Sequence, residues 1–400
     1  MLLQLAAQDI GQLTDIEPRR VLTGHSPASR ARLPGGSPGG LPGGRRSCAD
    51  RLVCICRASA SLASAWASLG QPMTVSDFTS LTGRFRGELL AHCYRMLGSA
   101  EEAEDLVQET YLRAWRSFDG FEGRSSVRTW LYRIATNVCL TAIERRARRP
   151  LPSGLGGPAE DPQARLVTAP EVPWLQPFPD MLLAGEHEDP AAITVLRTGI
   201  RLAFVAALQH LSARERAVLI MRDVMEFPAA EAADLLGTTT TAVNSGLRRA
   251  RAQLAQAQPA EDELAEPADP AQRALLDRFA AAFETADARA LAELLREDVA
   301  LEMPPLLTWF AGRPIVARFM ASRVFARFGG FRMVRVMANG QPAFAAYTRG
   351  DDGSYHAHEV LVPTLSKTGI ARIVVFLNPD LFRMFGLPHE YDPSGGRPGR

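Results

Sequence analysis

Residues 99–149, SAEEAEDLVQETYLRAWRSFDGFEGRSSVRTWLYRIATNVCLTAIERRARR, decide how this chain is read. Ser99 followed by Glu102 is a capping box, and Glu101, Glu102, Glu104, Asp105 and Glu109 precede Arg113 and Arg116, the charge order that suits a helix dipole. Ala103, Leu106, Val107, Tyr111, Ala114 and Trp115 recur at i, i+3, i+4 steps. That spacing predicts a buried stripe and leaves Glu104, Asp105, Gln108 and Arg113 facing out. Phe118 to Arg124, with Gly120 and Gly123, breaks the pattern. Ser125 or Ser126 then caps a second helix whose apolar face is Trp130, Leu131, Ile134, Ala135, Val138 and Ile143. Outside that face lie Arg128, Arg133 and Asn137, then Arg145, Arg146, Arg148 and Arg149. A helix that grows more basic toward its end offers a track for a nucleic-acid backbone.

EDLVQETYLRAW, then FEGRSSVRTWLYRIATNVCL with its arginine tail, resembles conserved region 2 of the sigma-70 family in its extracytoplasmic-function branch. The resemblance implies that the first helix docks on core RNA polymerase and the second captures a flipped base of the promoter minus-10 element. Carried over by position, Glu104, Asp105, Gln108 and Arg113 are polymerase contacts, and Arg128, Arg133, Asn137 and Arg145 contact the non-template strand. Capture of single-stranded DNA needs a cationic track and a pocket for an unstacked base, for which Phe121, Trp130 and Tyr132 are candidate walls.

Downstream, residues 190–257 are helical again, with Ile193 to Leu211 expected as one amphipathic helix and Ser212 with Glu215 as a second capping box. AAEAADLLG, a turn at Gly237 to Thr239 and TTAVNSGLRRARAQL make a helix-turn-helix packed through Ala230, Ala233, Leu236, Val243 and Leu247. Its second helix offers Thr240, Asn244, Ser245, Arg248, Arg249 and Arg251 to base edges and phosphates. The stretch resembles sigma region 4, which reads the minus-35 element.

Between the two modules, residues 150–189 turn to Pro, Gly and Ala and read as a flexible tether. EVPWLQPFPD at 171–180 has two readings. The resemblance implies a segment threading the polymerase toward the RNA exit path; alternatively, Trp174 and Phe178 pin the linker onto a neighbouring domain. After a short acidic linker at 258–270, residues 271–390 are expected as two helices, a strand at 299–303, a helix over 314–328 and strands near 331–338, 341–349, 354–364 and 369–377. Asn339-Gly340 is a type I′ hairpin signal. Helices followed by a curved antiparallel sheet make an α+β cone, and MPPLLTWFAGRPIV and FLNPDLFRMFGLP resemble the SnoaL-like, nuclear transport factor 2-like domain carried by a sigma subgroup. Trp309, Tyr347, His356 and His358, the two histidines sharing a strand face, are the candidate ligand pocket of that domain, with Asp298 and Glu302 as neighbours.

The expected architecture is therefore multidomain: region 2 over 73–149, region 4 over 190–257, both all-α, then the cone and a tail at 391–400. Residues 1–72, with PGGSPGGLPGG at 34–44, lack a sustained period and are expected to be a disordered extension, Met73 being the expected natural start. A chain of 400 residues carries about two to three domains. The net charge of +1 means that any DNA binding comes from local patches. Only Lys367 is a lysine among 45 basic residues. Five cysteines, Cys48, Cys54, Cys56, Cys93 and Cys139, argue against a disulfide framework and for a reducing cytosol. No metal or cofactor is called for, no catalytic residue stands out, and no stretch reads as a membrane anchor.

The function this implies is a cytoplasmic sigma factor that binds core RNA polymerase and promoter DNA. Its regulator is either a separate anti-sigma protein or the attached cone, which senses a small ligand or folds back on the core. The alternative is a SnoaL-like ligand-binding or ligand-converting enzyme tethered to DNA.

Overall fold

A computed structural model of the chain describes residues 75–121, 125–144, 148–183, 197, 199–257, 270–351 and 353–391. The expectations for residues 1–72, the start at Met73, Arg145 and the tail at 392–400 lie outside these. Two compact units divide at Gly83. In the first, the described residues form helix α1 (Val75–Thr82). The second, from Arg84, holds all the remaining elements described.

Region 2 consists of α2 (Arg86–Leu97), α3 (Ala100–Ser117) and α4 (Val127–Glu144). A 3-10 turn at Gly83–Phe85 precedes α2. Gly98, at φ +73, ends α2, and Ser99 caps α3 by accepting the Glu102 amide at 3.3 Å. Ser126, not Ser125, caps α4 through the Thr129 amide at 3.0 Å. Leu89, Tyr94, Ala103, Val107, Leu131, Ala135 and Cys139 close the core between the three helices. Cys93 and Cys139 are buried in it as free thiols.

Region 4 follows as α5 (Leu202–Leu208), α6 (Ala213–Leu219, running into a π turn at Ile220–Val224), α7 (Ala229–Leu235) and α8 (Thr240–Ala257). The expected helix from Ile193 is shorter: a turn at Gly199–Ile200 precedes α5, and 193–196 are outside the described residues. Ser212 caps α6 by accepting the Glu215 amide and donating to Glu215 Oε2 at 2.7 Å. Gly237, at φ +59, makes the turn between α7 and α8. The packing register differs slightly from expectation. Ala232, Ala233, Leu235, Val243 and Leu247 are buried, whereas Ala230 is exposed and Leu236 half-buried.

The third domain opens with α9 (Pro270–Glu284) and α10 (Ala288–Leu294) and continues into β1 (Leu295–Glu302), β2 (Phe310–Ala311), α11 (Arg313–Phe319) and a π segment ending in α12 (Ala326–Phe328). β3 (Phe331–Ala338), β4 (Gln341–Arg349), β5 (Tyr355–Ser366), β6 (Gly369–Phe376), α13 (Leu381–Met384) and β7 (Glu390–Tyr391) complete it. The strand order is β2-β1-β6-β5-β4-β3, with β7 on β5. Pairing is antiparallel except between β1 and β6, which run parallel, so the expected antiparallel sheet is mixed. Its inner face is filled by rings, Phe279 stacking on Phe283 and Phe344, and Phe283 on Phe325 and Phe331. This is the expected α+β cone. Asn339 and Gly340, at φ +57 and +69, form the expected type I′ turn.

Residues 148–183 are not a free tether. They form a strap bonded along the cone. Ala159 donates to Trp309 O (2.8 Å), Leu307 to Val167 O (2.7 Å), Ala169 to Pro305 O (3.0 Å) and Asn339 to Phe178 O (2.8 Å). Phe178 is buried against Tyr94, and the Trp174 indole N–H donates to Ala169 O. The pinning reading of these two aromatics is the one the contacts support.

Candidate polymerase and nucleic-acid interface

On α3, Asp105, Gln108 and Arg113 are exposed; Glu104 is half-buried in an ion pair with Arg86 (3.0 Å), and Arg113 pairs with Glu109 (2.7 Å). Trp115, expected in the buried stripe, is 38 % exposed, and Leu112 is 50 % exposed. Leu112 sits four residues after Gln108 on the outer face, so an apolar centre lies within the charged surface. Its spacing from Gln108 is the sequence signal for that position.

On α4, Arg133 and Asn137 are exposed and no protein partner of either side chain is described. Arg128 is different. Its Nε lies 2.7 Å from Glu88 Oε2, and its guanidinium stacks over Tyr132 and Phe227 at 5.2 and 5.4 Å. Phe121, Phe118 and Trp130 form a half-exposed ring cluster, Phe121 and Trp130 being 4.8 Å apart, which keeps two of the three proposed base-pocket walls. The third, Tyr132, is buried edge-on to His92 and Phe227 and donates to Glu88 (3.0 Å). His92 accepts or donates at Thr136 Oγ1 (3.0 Å); burial, and then Arg95, hold its pKa down to about 3, so it packs as a neutral ring.

On α8, Thr240, Asn244 and Arg248 fall four residues apart on one exposed face. Ser245 is half-buried. Arg249 pairs with Glu215 (2.8 Å), whose carboxyl is held below the usual range by the Ser212 hydroxyl and by Arg249, and Arg251 makes a two-pronged pair with Asp223 (2.7 and 2.8 Å). Of the candidate arginines on α8, Arg248 alone has no described partner.

The two modules touch. Thr129 Oγ1 donates to Glu231 Oε1 at 2.7 Å, and Tyr132 packs on Phe227. Arg95, buried on α2, donates to Gly199 O at 2.8 Å; burial lowers its pKa to about 10. The hairpin tip of the cone enters the same junction. Asn339 Nδ2 donates to Tyr94 Oη (2.7 Å) and Ile200 O (2.8 Å), its Oδ1 accepts the Phe178 amide (2.9 Å), and the Gly340 amide donates to Asp180 Oδ1 (2.8 Å). One buried amide side chain therefore joins region 2, the strap and the start of region 4. The Asn-Gly signal located the turn but could not reveal what it would enter.

Residues 81–149 match the family Sigma-70 region 2 and residues 201–254 the family Sigma-70, region 4. The chain is 49 % identical over 314 residues to ECF RNA polymerase sigma factor SigG of Mycobacterium tuberculosis, spanning 78 % of this chain and 84 % of that one. This chain belongs to the extracytoplasmic-function sigma factors. It is also 28 % identical over 323 residues to SigJ of the same organism, covering 78 % of this chain and 93 % of that one. The crystal structure of SigJ shares the fold, with a TM-score of 0.51 at 24 % identity, over 79 % of this chain and 100 % of that one. As a sigma factor, the protein binds core RNA polymerase, recognises promoters and initiates transcription.

The sigma factor's third domain does not gather the residues expected in its pocket. Trp309 donates to Gly156 O of the strap (2.9 Å). Tyr347 is buried against Phe382 and Tyr391 and donates to Pro388 O (2.9 Å). His358 occupies a bulge in β5, since Ala346 pairs with Glu359 and Tyr347 with Ala357, so it does not keep the simple alternation with His356. His358 contacts Phe328 and Glu359, while His356 contacts Ser354. Glu302 is buried, but it is neutralised by Arg372 and accepts the Ser153 amide at 2.9 Å. Among the described residues no group of side chains could hold a metal ion, and no helix is long and apolar enough to cross a membrane.

Proposed function

We propose that this sigma factor rests in a closed state, with α4 held on region 4 by the strap and the cone, and that it works after opening. The observation that carries this is the 2.7 Å bond between Thr129 and Glu231. Promoter elements centred about 25 base pairs apart lie about 85 Å apart at about 3.4 Å per base pair, and modules in contact cannot engage both. In the open state Asp105, Gln108 and Arg113, with Leu112 at their centre, meet the polymerase. Arg133 and Asn137, with Arg128 once released from Glu88 and with Arg145, follow the non-template strand. Thr240, Asn244 and Arg248 read bases, while Arg249 and Arg251 reach phosphates. The cone acts here as a non-catalytic regulator in the cytoplasm; the scattered hydrogen bonding of Trp309, Tyr347, His356 and His358 favours that over the tethered-enzyme reading.

Run-off transcription with purified core polymerase and the full chain tests the proposal. A promoter-specific transcript, strengthened when Thr129→Val and Glu231→Ala are combined, is expected; a transcript insensitive to that pair would remove the closed state from the mechanism. Leu112→Glu, at an exposed position, is expected to leave the melting temperature unchanged and weaken core polymerase binding about tenfold or more, as apolar anchors at interface centres do. Equal affinity in fluorescence anisotropy would take this face of α3 out of the interface.

A further inference from the structure

Two adjoining cavities lie where the strap passes between region 4 and the cone's sheet. The smaller, about 240 Å³, has Leu97 and Ile143 on one side and Leu211 and Ala213 on the other. Three arginines, Arg148, Arg149 and Arg216, line it against one carboxylate, Glu102. Arg149 is tied to that carboxylate at 2.7 Å and to Trp174 O at 3.1 Å. Arg148 and Arg216 have no carboxylate partner among the described residues. Arg216 is 2 % exposed, donates to the carbonyls of Met96 and Leu211 and to Gln209 Oε1, and keeps an Nε with no acceptor. A buried guanidinium met only by neutral groups, with another arginine nearby, is costly. Burial, and then Arg148, press the Arg216 pKa down to about 10.

The larger cavity, about 620 Å³, shares Arg148, Gln209 and His210 with the smaller one. Beyond them its walls include Leu151, Leu155 and Val172 of the strap, Ala206 of α5 and Ala300 and Ala371 of the sheet. The charges on the sheet wall are already neutralised, Arg296 by Asp298 at 2.9 Å and Arg372 by Glu302, and Glu171 is exposed. The joined space thus has a cationic end and a largely apolar chamber, the composition of a small-molecule site.

We propose that it binds a small amphipathic anion, its phosphate or carboxylate head on Arg148 and Arg216 and its apolar body in the larger chamber. The site lies outside the ring-filled interior of the cone. Because region 2, region 4, the strap and the cone all contribute walls, an occupant adds to the stability of their association. Both the site and that consequence rest on the closed-state reading, since these walls meet only in that arrangement; hydrogen exchange over 174–183 tests the closed state separately from ligand binding.

Titration calorimetry on the full chain, without DNA or polymerase, tests the site with n-octyl phosphate, octanoate, octyl glucoside and inorganic phosphate as probes. Octyl phosphate or octanoate is expected to bind one-to-one, with the neutral glucoside at least about 30-fold weaker; which anion binds tighter identifies the head group. Arg148→Glu, at an exposed position that needs no refolding of the core, is expected to weaken the alkyl anion about tenfold or more. Ala206→Trp, which fills the larger chamber, is expected to weaken the alkyl anion similarly and leave inorganic phosphate unaffected, with melting curves checking that each variant is folded. Equal binding of the glucoside, unchanged affinity in either variant, or no heat from both alkyl anions up to ~1 mM would overturn the proposal.

Discussion

Replacing Asn339 with glycine is expected to loosen the closed state more than any surface substitution in this protein. Glycine keeps the left-handed backbone at φ +57, so the type I′ turn survives and only the side-chain bonds are lost. Those bonds satisfy the Phe178 amide, the Ile200 carbonyl and the Tyr94 hydroxyl at 2.7 to 2.9 Å, all at a position with no solvent exposure. Leaving two buried backbone groups unpaired costs about 1–3 kcal/mol each. The ratio of closed to open molecules should therefore fall by about 30-fold or more, at 1.4 kcal/mol per factor of ten. Hydrogen exchange reads this directly. Amides over 174–183 and 199–202 are expected to exchange faster by about that factor while those of α9 keep their protection, and promoter-specific transcription is expected to rise. Unchanged exchange over 174–183 would mean that the hairpin tip is not what holds the strap. Asn339→Ala adds about 1 kcal/mol of backbone strain to the same loss, so it should open the junction further and also lower the melting temperature of the cone.

Arg248→Ala is expected to have the largest effect on promoter choice. Arg248 is exposed, has no described intramolecular partner and continues the Thr240, Asn244 face of α8. A two-pronged arginine contact to guanine contributes about 1–3 kcal/mol of discrimination, so transcription from the preferred minus-35 sequence should fall about 5- to 140-fold. Binding to unrelated DNA should change little. Arg251→Ala makes the contrast. Its guanidinium already holds Asp223 at 2.7 Å, so in the proposed reading it reaches phosphate rather than a base edge, and its loss should weaken all sequences alike and reduce the salt dependence by about one ion. If both variants lowered all sequences equally, base reading would have to move to Asn244 and Thr240.

The difference between those two arginines marks how far the sequence carries. Both stand on the same helix, and spacing alone ranks them together. Arg248 differs because α6 and its π turn bring Glu215 beside Arg249 and Asp223 beside Arg251, whereas Arg248 has no carboxylate partner among the described residues. Arg128 is a similar case on α4. Its position outside the apolar stripe read as a DNA contact, and the fold placed Glu88 and Phe227 against it. Leu112 shows the reverse. Its four-residue spacing from Gln108 sets it on the outer face, and the fold leaves it 50 % exposed there.

What the sequence determined by itself is what neighbouring residues decide among themselves. Ser99, Ser126 and Ser212 cap their helices through amides three residues away, Gly237 turns the helix-turn-helix, and Asn339-Gly340 closes its hairpin, because each needs only local backbone geometry. The strands β3 to β6 were legible for the same reason, and the two sigma regions through the resemblance of their motifs to that family. Tertiary structure alone decided the parallel pairing of β1 with β6, the strap bonded along the cone, the contact of Thr129 with Glu231 and the arginine-lined cavity. Each of these joins residues far apart in the chain, and their partners are selected by burial and charge compensation in three dimensions, which no periodicity along one segment encodes.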